Sequence, residues 1–192
     1  MIFFIILGFN PVDRNVWIVE VLPVVIVYLL LLFTYRTFTF TNTSYTLMLF
    51  WLVWHTIGGH YTFANVPFDY ITNSFDFERN HFDRVGHLAV GFYAYPMVEF
   101  LTRNQYTSYK IASLFGLFFI MSIAAGYEII EWVFAIVEGG NTGAEFLGSQ
   151  GDIWDAQKDM LADTIGAIAS LFLFWYVRPD LKLQRKLNNK NK

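Results

Sequence analysis

Cysteine is missing from the sequence altogether, which excludes disulfides, iron–sulfur clusters and thiolate metal sites and leaves the redox compartment unmarked. Charge is scarce as well: Asp, Glu, Lys and Arg make up 15% of the 192 residues, where soluble domains carry about 25%. The balance is apolar, with 55% hydrophobic and 20% aromatic residues. That composition suits a bilayer. No internal repeat and no Gly/Ser-rich or Pro-rich linker divides the chain. Residues 1–177 therefore read as a single transmembrane helical bundle and residues 178–192 as a basic tail. Several chemical signatures are absent too: no Gly-rich phosphate loop, no G-x-S-x-G elbow, no H-E-x-x-H pair, and no serine spaced from a histidine as in a triad.

What is present is a set of long apolar runs. A spanning helix needs roughly 20 mostly apolar residues. Residues 16–33 (VWIVEVLPVVIVYLLLLF) qualify, with Pro23 tolerable as a kink. Residues 45–57, 85–101, 109–136 and 160–177 supply four more candidates. The opening MIFFIILGF is apolar for nine residues and lacks the basic start and cleavage site of a signal peptide. It reads as a short or trimmed first span. The expected fold is all-α, a polytopic bundle of five to six spanning helices.

Lys and Arg in short loops set orientation. Arg178, Lys182, Arg185, Lys186, Lys190 and Lys192 crowd the tail, which places the C-terminus in the cytoplasm and reads as an anionic-lipid contact rather than a nucleic-acid patch. Of the sixteen acidic residues, only Glu99 and Asp180 then fall at the cytoplasmic side, and all four histidines fall at the outer one. Glu99 and Arg103, four apart, are expected to pair with each other.

The acids and imidazoles cluster by depth. Asp83 and His87 are four apart at the outer end of one helix, and Glu128 and Glu131 are three apart near the outer end of another. Asp152, Asp155, Asp159 and Asp163 follow at intervals of three and four, an acidic stripe on one helix face. Glu20 and His55 reach the same level, and His60 follows a Gly58–Gly59 pair expected to end its helix. Since a carboxylate in hydrocarbon costs several kcal/mol, these groups are expected to face one shared polar cavity. Asp152 and Asp155 also suit helix-start positions, where acids favour the positive end of the dipole. Gly166 and Ala167 suit close helix packing.

The stretches HTIGGHYTFANVPF, RNHFDRVGHLAVGFYAYPMVEF, EIIEW and FLGSQGDIWDAQKDMLADTIGA resemble the YjdF family of bacterial inner-membrane proteins, from about Val16 to Val177. That family is catalogued as a domain of unknown function. The resemblance implies a multi-pass protein of the bacterial inner (plasma) membrane. A more distant likeness is to VanZ-like membrane proteins, whose Asp-x-x-x-His, Glu-x-x-Gln and Asp-x-x-x-Asn-x-x-Gly pattern maps to Asp83/His87, Glu128/Glu131 and Asp159/Asp163/Gly166. Here Glu131 and Asp163 replace the amides of that pattern, which makes the cluster more acidic.

Three functions stay open on sequence alone. The leading one is a metal-dependent enzyme acting on a lipid or lipid-linked substrate. Asp83, His87, Glu128, Glu131, Asp159 and Asp163 are its candidate ligands, and His87, Glu128, Glu131 and Asp163 its candidate catalytic groups. Histidine with carboxylates suits Zn, Mn or Fe, and carboxylates with water suit Mg. His55, His60, His81 and Asp155 are further candidates; a lone histidine is more often a hydrogen-bonded packing residue. An ion- or proton-coupled transporter would use intramembrane carboxylates, but polar groups toward the cytoplasmic half reduce to residues such as Ser113, Ser122 and Ser170. A non-catalytic scaffold would use the cluster only to lock helices together. Membrane lipids are the expected partners.

Overall fold

The computed structural model describes residues 2–181, and the described residues are helical throughout, with no strand. The order is α1 (Ile2–Leu7), α2 (Arg14–Thr34), α3 (Asn42–Tyr61), a 3-10 turn at Phe63–Asn65, α4 (Asp69–Ser74), α5 (Phe82–Gly91), α6 (Ala94–Arg103), α7 (Tyr109–Glu138), α8 (Gly140–Leu147) and α9 (Asp155–Val177). Among the described residues, α2, α7 and the helix beginning at Asp155 are long and apolar enough to cross a membrane. The segment expected at 1–9 is the six-residue α1, and α3, though 20 residues long, carries polar groups along its length. Of the basic tail, Arg178 is described and pairs with Asp180 at 2.8 Å. Lys182, Arg185, Lys186, Lys190 and Lys192 lie outside the described residues.

The expected span 85–101 is corrected to two ten-residue helices in tandem. Pro96 is the physical reason. It has no N–H to offer the Phe92 carbonyl, and its ring crowds that carbonyl, so an α-helix cannot run through unaltered. The chain tightens instead: the Phe92, Tyr93 and Tyr95 amides donate to carbonyls three residues back.

The Gly58–Gly59 pair does not end α3, which runs on to Tyr61 and stops where Thr62 turns left-handed, φ 63°. The two glycines instead make room. A Cβ on Gly58 would lie 2.3 Å from the Phe63 ring, and one on Gly59 3.0 Å from Glu20 Cβ. The acidic stripe also loses a member, because Asp152 sits in the loop before α9. There its Oδ1 accepts from the Trp154 amide and its Oδ2 from Lys158 Nζ at 2.6 Å. Those two bonds hold its carboxyl below the usual carboxylate range.

Two packing features set the frame. The α5 and α9 backbones nearly touch: a Cβ on Gly166 would fall 2.0 Å from the Leu88 carbonyl oxygen, and one on Gly91 2.3 Å from that of Asp163. Small residues at the crossing are what allow this approach. At the opposite end of the bundle, the carboxylate of Glu99 from α6, itself fully buried, serves as the anion at the start of α3. It accepts from the Thr41 amide at 2.9 Å, the Thr41 hydroxyl at 2.8 Å and the Ser44 hydroxyl, and Arg103 donates to it at 2.5 Å. The expected Glu99–Arg103 pair is present, with Glu99 enclosed and Arg103 partly exposed.

Candidate functional site

Five helices bring ionisable groups to one end of the bundle: α2 (Glu20), α3 (His55), α5 (Asp83, His87), α7 (Glu128, Glu131) and α9 (Asp155, Asp159, Asp163). Helical spacing does the local work. Residues three or four apart share a face, so each of the last three helices offers its acidic or imidazole groups as a set. The close α5–α9 crossing then presents His87 to α9.

His87 is the hub. Its ring is buried, and Nδ1 lies 3.0 Å from Asp163 Oδ2. An ionised carboxylate only accepts, so Nδ1 donates to Asp163, and Nε2 lies on the opposite side of the ring. That nitrogen faces three carboxylate oxygens: Asp83 Oδ1 at 3.7 Å, Glu128 Oε1 at 3.9 Å and Asp159 Oδ1 at 4.0 Å. All three separations exceed hydrogen-bond reach, so a second proton on the ring would not be bonded by any of them. Glu128 Oε1, Asp159 Oδ1 and Asp163 Oδ1 are buried and accept no hydrogen bond, although Arg84 Nη1 stands 3.0 Å from Asp159 Oδ1 out of line. One donor atom each from Asp83, His87 and Asp159 lie within 4.8 Å of one another.

Asp83, His87 and Asp159 are placed where they could hold a small cation. Around an ion with ligand bonds of ~2.1 Å, neighbouring donor atoms sit about 3.0–3.4 Å apart. The separations at His87 are roughly half an ångström longer than that, within reach of small side-chain rotations. Asp163 holds the far ring nitrogen, the carboxylate–histidine arrangement that fixes tautomer and orientation in metal centres. Asp163 thus meets the ring on the side away from Nε2 through Oδ2, and it lines the same cavity as His87.

The arginines take a different share of the acids. Arg79 pairs with Asp155, and Arg84 Nη2 is 2.7 Å from the same Asp155 oxygen. Both also approach Asp152, at 3.6 and 3.8 Å. Asp155 therefore anchors both the segment before α5 and the first turn of α5, and among the described residues no arginine reaches Glu128 or Glu131. Glu131 is buried and lines a cavity together with Glu20, His55, Asp83, His87, Tyr127 and Asp163. Within it, Tyr127 Oη donates to Glu20 Oε2 at 2.7 Å, and His55 Nε2 lies 3.1 Å from that oxygen and 2.9 Å from the Glu20 backbone carbonyl.

The remaining histidines are not brought to the cluster. His60 Nδ1 lies 2.6 Å from the Leu7 carbonyl and its ring sits edge-on to Trp17, so it ties α1 to α3. His81 precedes α5, edge-on to Phe77. Burial, then the guanidinium groups of Arg79 and Arg84, hold its imidazole below the usual histidine range. Glu20 takes the place its depth predicts, and Tyr127 completes the site beyond the candidates read from spacing. Tyr127 is four residues before Glu131, on the same face, which is the signal that could have marked it.

Residues 1–180 match a family model described as "Predicted membrane protein (DUF2238)". The inner membrane protein YjdF of Escherichia coli (strain K12) is 35% identical over 167 residues, covering 85% of this chain and 79% of that protein. No solved structure matches the chain.

Proposed function

The chain belongs to the YjdF family of membrane proteins, and from that premise we propose that it is a metal-dependent enzyme acting on a lipid or lipid-linked substrate. The observation that carries this reading is the environment of His87 Nε2: a ring nitrogen opposed by three carboxylate oxygens at 3.7–4.0 Å, with the other ring nitrogen held by Asp163. Five carboxylates (Asp83, Glu128, Glu131, Asp159 and Asp163) gather around one imidazole and one guanidinium, that of Arg84. Buried charge in that excess is relieved by a bound cation or by a proton on one of the acids.

Asp83, His87, Glu128 and Asp159 form the ligand set, a mixed N/O group that suits Mn, Zn or Fe, with Mg less favoured by the imidazole. Such an ion polarises a phosphoryl or carbonyl oxygen and lowers the pKa of bound water. Glu131, on the cavity wall one helical turn from Glu128, is placed to act as general base. Glu20, His55 and Tyr127 form a hydrogen-bonded support beside it.

The topology belongs to the same reading: five to six crossings, counting α3 and the α5–α6 tandem as spans, in the inner membrane, with the C-terminus cytoplasmic and the cluster near the outer headgroups. The transport alternative fits less well. Ser113 and Ser122 donate to carbonyls of their own helix, Ser122 is exposed, and Ser170 donates to Ala167 and Gly91. No side-chain relay toward the other end of the bundle appears among the described residues.

Elemental analysis of detergent-purified protein tests the reading. Close to one equivalent of a transition metal is expected in the wild type, and little in His87→Ala or the Asp83→Asn/Asp159→Asn double variant. Metal content that is nil in every form, or equal in all of them after mild chelation, would overturn it.

A further inference from the structure

The cavity that starts at the cluster does not end there. It encloses about 510 Å³ and reaches from Glu20 to Thr34 along α2, fourteen residues apart, or about 21 Å at 1.5 Å per residue. Beyond Tyr127 its wall is apolar, built from Val27 and Leu30 on α2, Phe119 and Ile123 on α7, and Met97 and Phe100 on α6. The volume lies in the range of small-molecule sites, and an apolar body with a few convergent polar groups is their usual make-up.

The slot is also open sideways. Helix α2 packs on α3 and α8, whereas α7 packs on α6, α8 and α9. The Glu20–Tyr127 hydrogen bond pins α2 to α7 beside the cluster. Farther along, Leu30 and Ile123 both line the cavity and are exposed, at 59% and 47%. Since α2 and α7 are two of the helices fit to cross a membrane, a gap between them opens on lipid. Its length exceeds one leaflet of hydrocarbon, roughly 15 Å, or half of ~30 Å.

We infer that this slot takes the acyl chain of a membrane phospholipid, which enters laterally between α2 and α7 and lies with its headgroup at the His87 cluster. The headgroup half of the inference rests on the proposed metal, because carboxylates alone would repel a phosphate. The chain-binding half stands on the cavity.

The test uses full-length protein in vesicles of phosphatidylethanolamine and phosphatidylglycerol containing a trace of phosphatidylglycerol with a diazirine acyl chain. After photolysis, labelled residues are mapped by mass spectrometry. Val27, Leu30, Phe119 and Ile123 should carry severalfold more label than Leu29 and Leu32, which are exposed on the same α2 but lie outside the cavity. Ile123→Trp or Ala124→Trp should cut the slot label at least fivefold, and Leu32→Trp should not. Label spread evenly over slot and control residues in the wild type would overturn the inference. Metal content measured on the same samples separates the two readings. Slot label without metal keeps the chain site and removes the metal centre, and metal without slot label does the reverse.

Discussion

Asp163→Asn separates a metal centre from a mere helix lock more cleanly than removal of any ligand. Asp163 is fully buried, its Oδ2 lies 3.0 Å from His87 Nδ1, and its Oδ1 accepts no hydrogen bond. The amide oxygen of asparagine can still accept from Nδ1, so tautomer and ring orientation survive. The negative charge behind the ring is lost, and with it the added basicity of Nε2. Loss of such an outer carboxylate typically weakens metal binding 10–100-fold, which is about 1.4–2.8 kcal/mol. Stability of the metal-free protein should move little or rise, since the change also removes one carboxylate from a crowded set. A lock predicts the opposite pattern. A charge-assisted hydrogen bond worth roughly 1.5–3 kcal/mol would be weakened, and the metal-free protein would melt at lower temperature. The assay is a calorimetric Mn(II) titration of detergent-purified protein beside a thermal melt in chelator. Unchanged affinity together with a lowered melting temperature would refute the reasoning.

Gly166→Ala should weaken metal binding without touching a ligand, because the new Cβ meets the Leu88 carbonyl at 2.0 Å and must part α5 from α9; overpacking of this kind costs about 1–3 kcal/mol, read as a lower thermal midpoint. Gly126→Ala is the matched control: its Cβ meets nothing within 4 Å, so the helix should gain up to about 1 kcal/mol and metal affinity should hold. Glu99→Ala strands Arg103 and the Thr41 and Ser44 donors at the far end of the bundle. A loss of about 3–5 kcal/mol should appear in a denaturation curve, with affinity at the His87 cluster retained in the protein that remains folded. Tyr127→Phe removes the 2.7 Å bond to Glu20, with an expected cost of about 1–3 kcal/mol for the buried carboxylate left behind, visible in the same melt.

The three ionisable pairs were legible because their spacing is local. Asp83/His87, Glu128/Glu131 and Asp159/Asp163 repeat at three or four residues, and any helix turns such a repeat to one side. The tandem α5–α6 break is legible only in Pro96, because the run around it is otherwise apolar enough to pass for one span. The ownership of the arginines was not legible. Arg79 and Arg84 reach acids more than seventy positions away, and no periodicity decides which of Asp152, Asp155 and Asp159 they neutralise. That choice sets the chemistry, since it leaves Glu128 and Glu131 without a guanidinium. The slot beneath the cluster was hidden for a related reason: it depends on which helices fail to pack, and α2 and α7 read separately as complete apolar spans.

The glycine crossing ties fold and site into one constraint. With Leu88 and Asp163 backbones in contact range of Gly166 and Gly91, α5 and α9 can slide or rotate very little, and the Nδ1–Oδ2 distance is fixed by the crossing rather than by the hydrogen bond. A buried imidazole–carboxylate pair is a poor source of stability on its own, because desolvation offsets most of its attraction. The close crossing supplies adhesion through backbone and small side chains, which leaves less of that duty to the acids around Nε2, of which Asp159 approaches Arg84 at 3.0 Å. Groups in that position can stay unpaired at a cost the rest of the fold absorbs, as polar residues at functional sites do. If that division of labour is right, the cluster should tolerate its own substitutions far better than the crossing does: Asp83→Asn or Glu128→Gln should lose metal and keep the melt, while Gly166→Ala loses both.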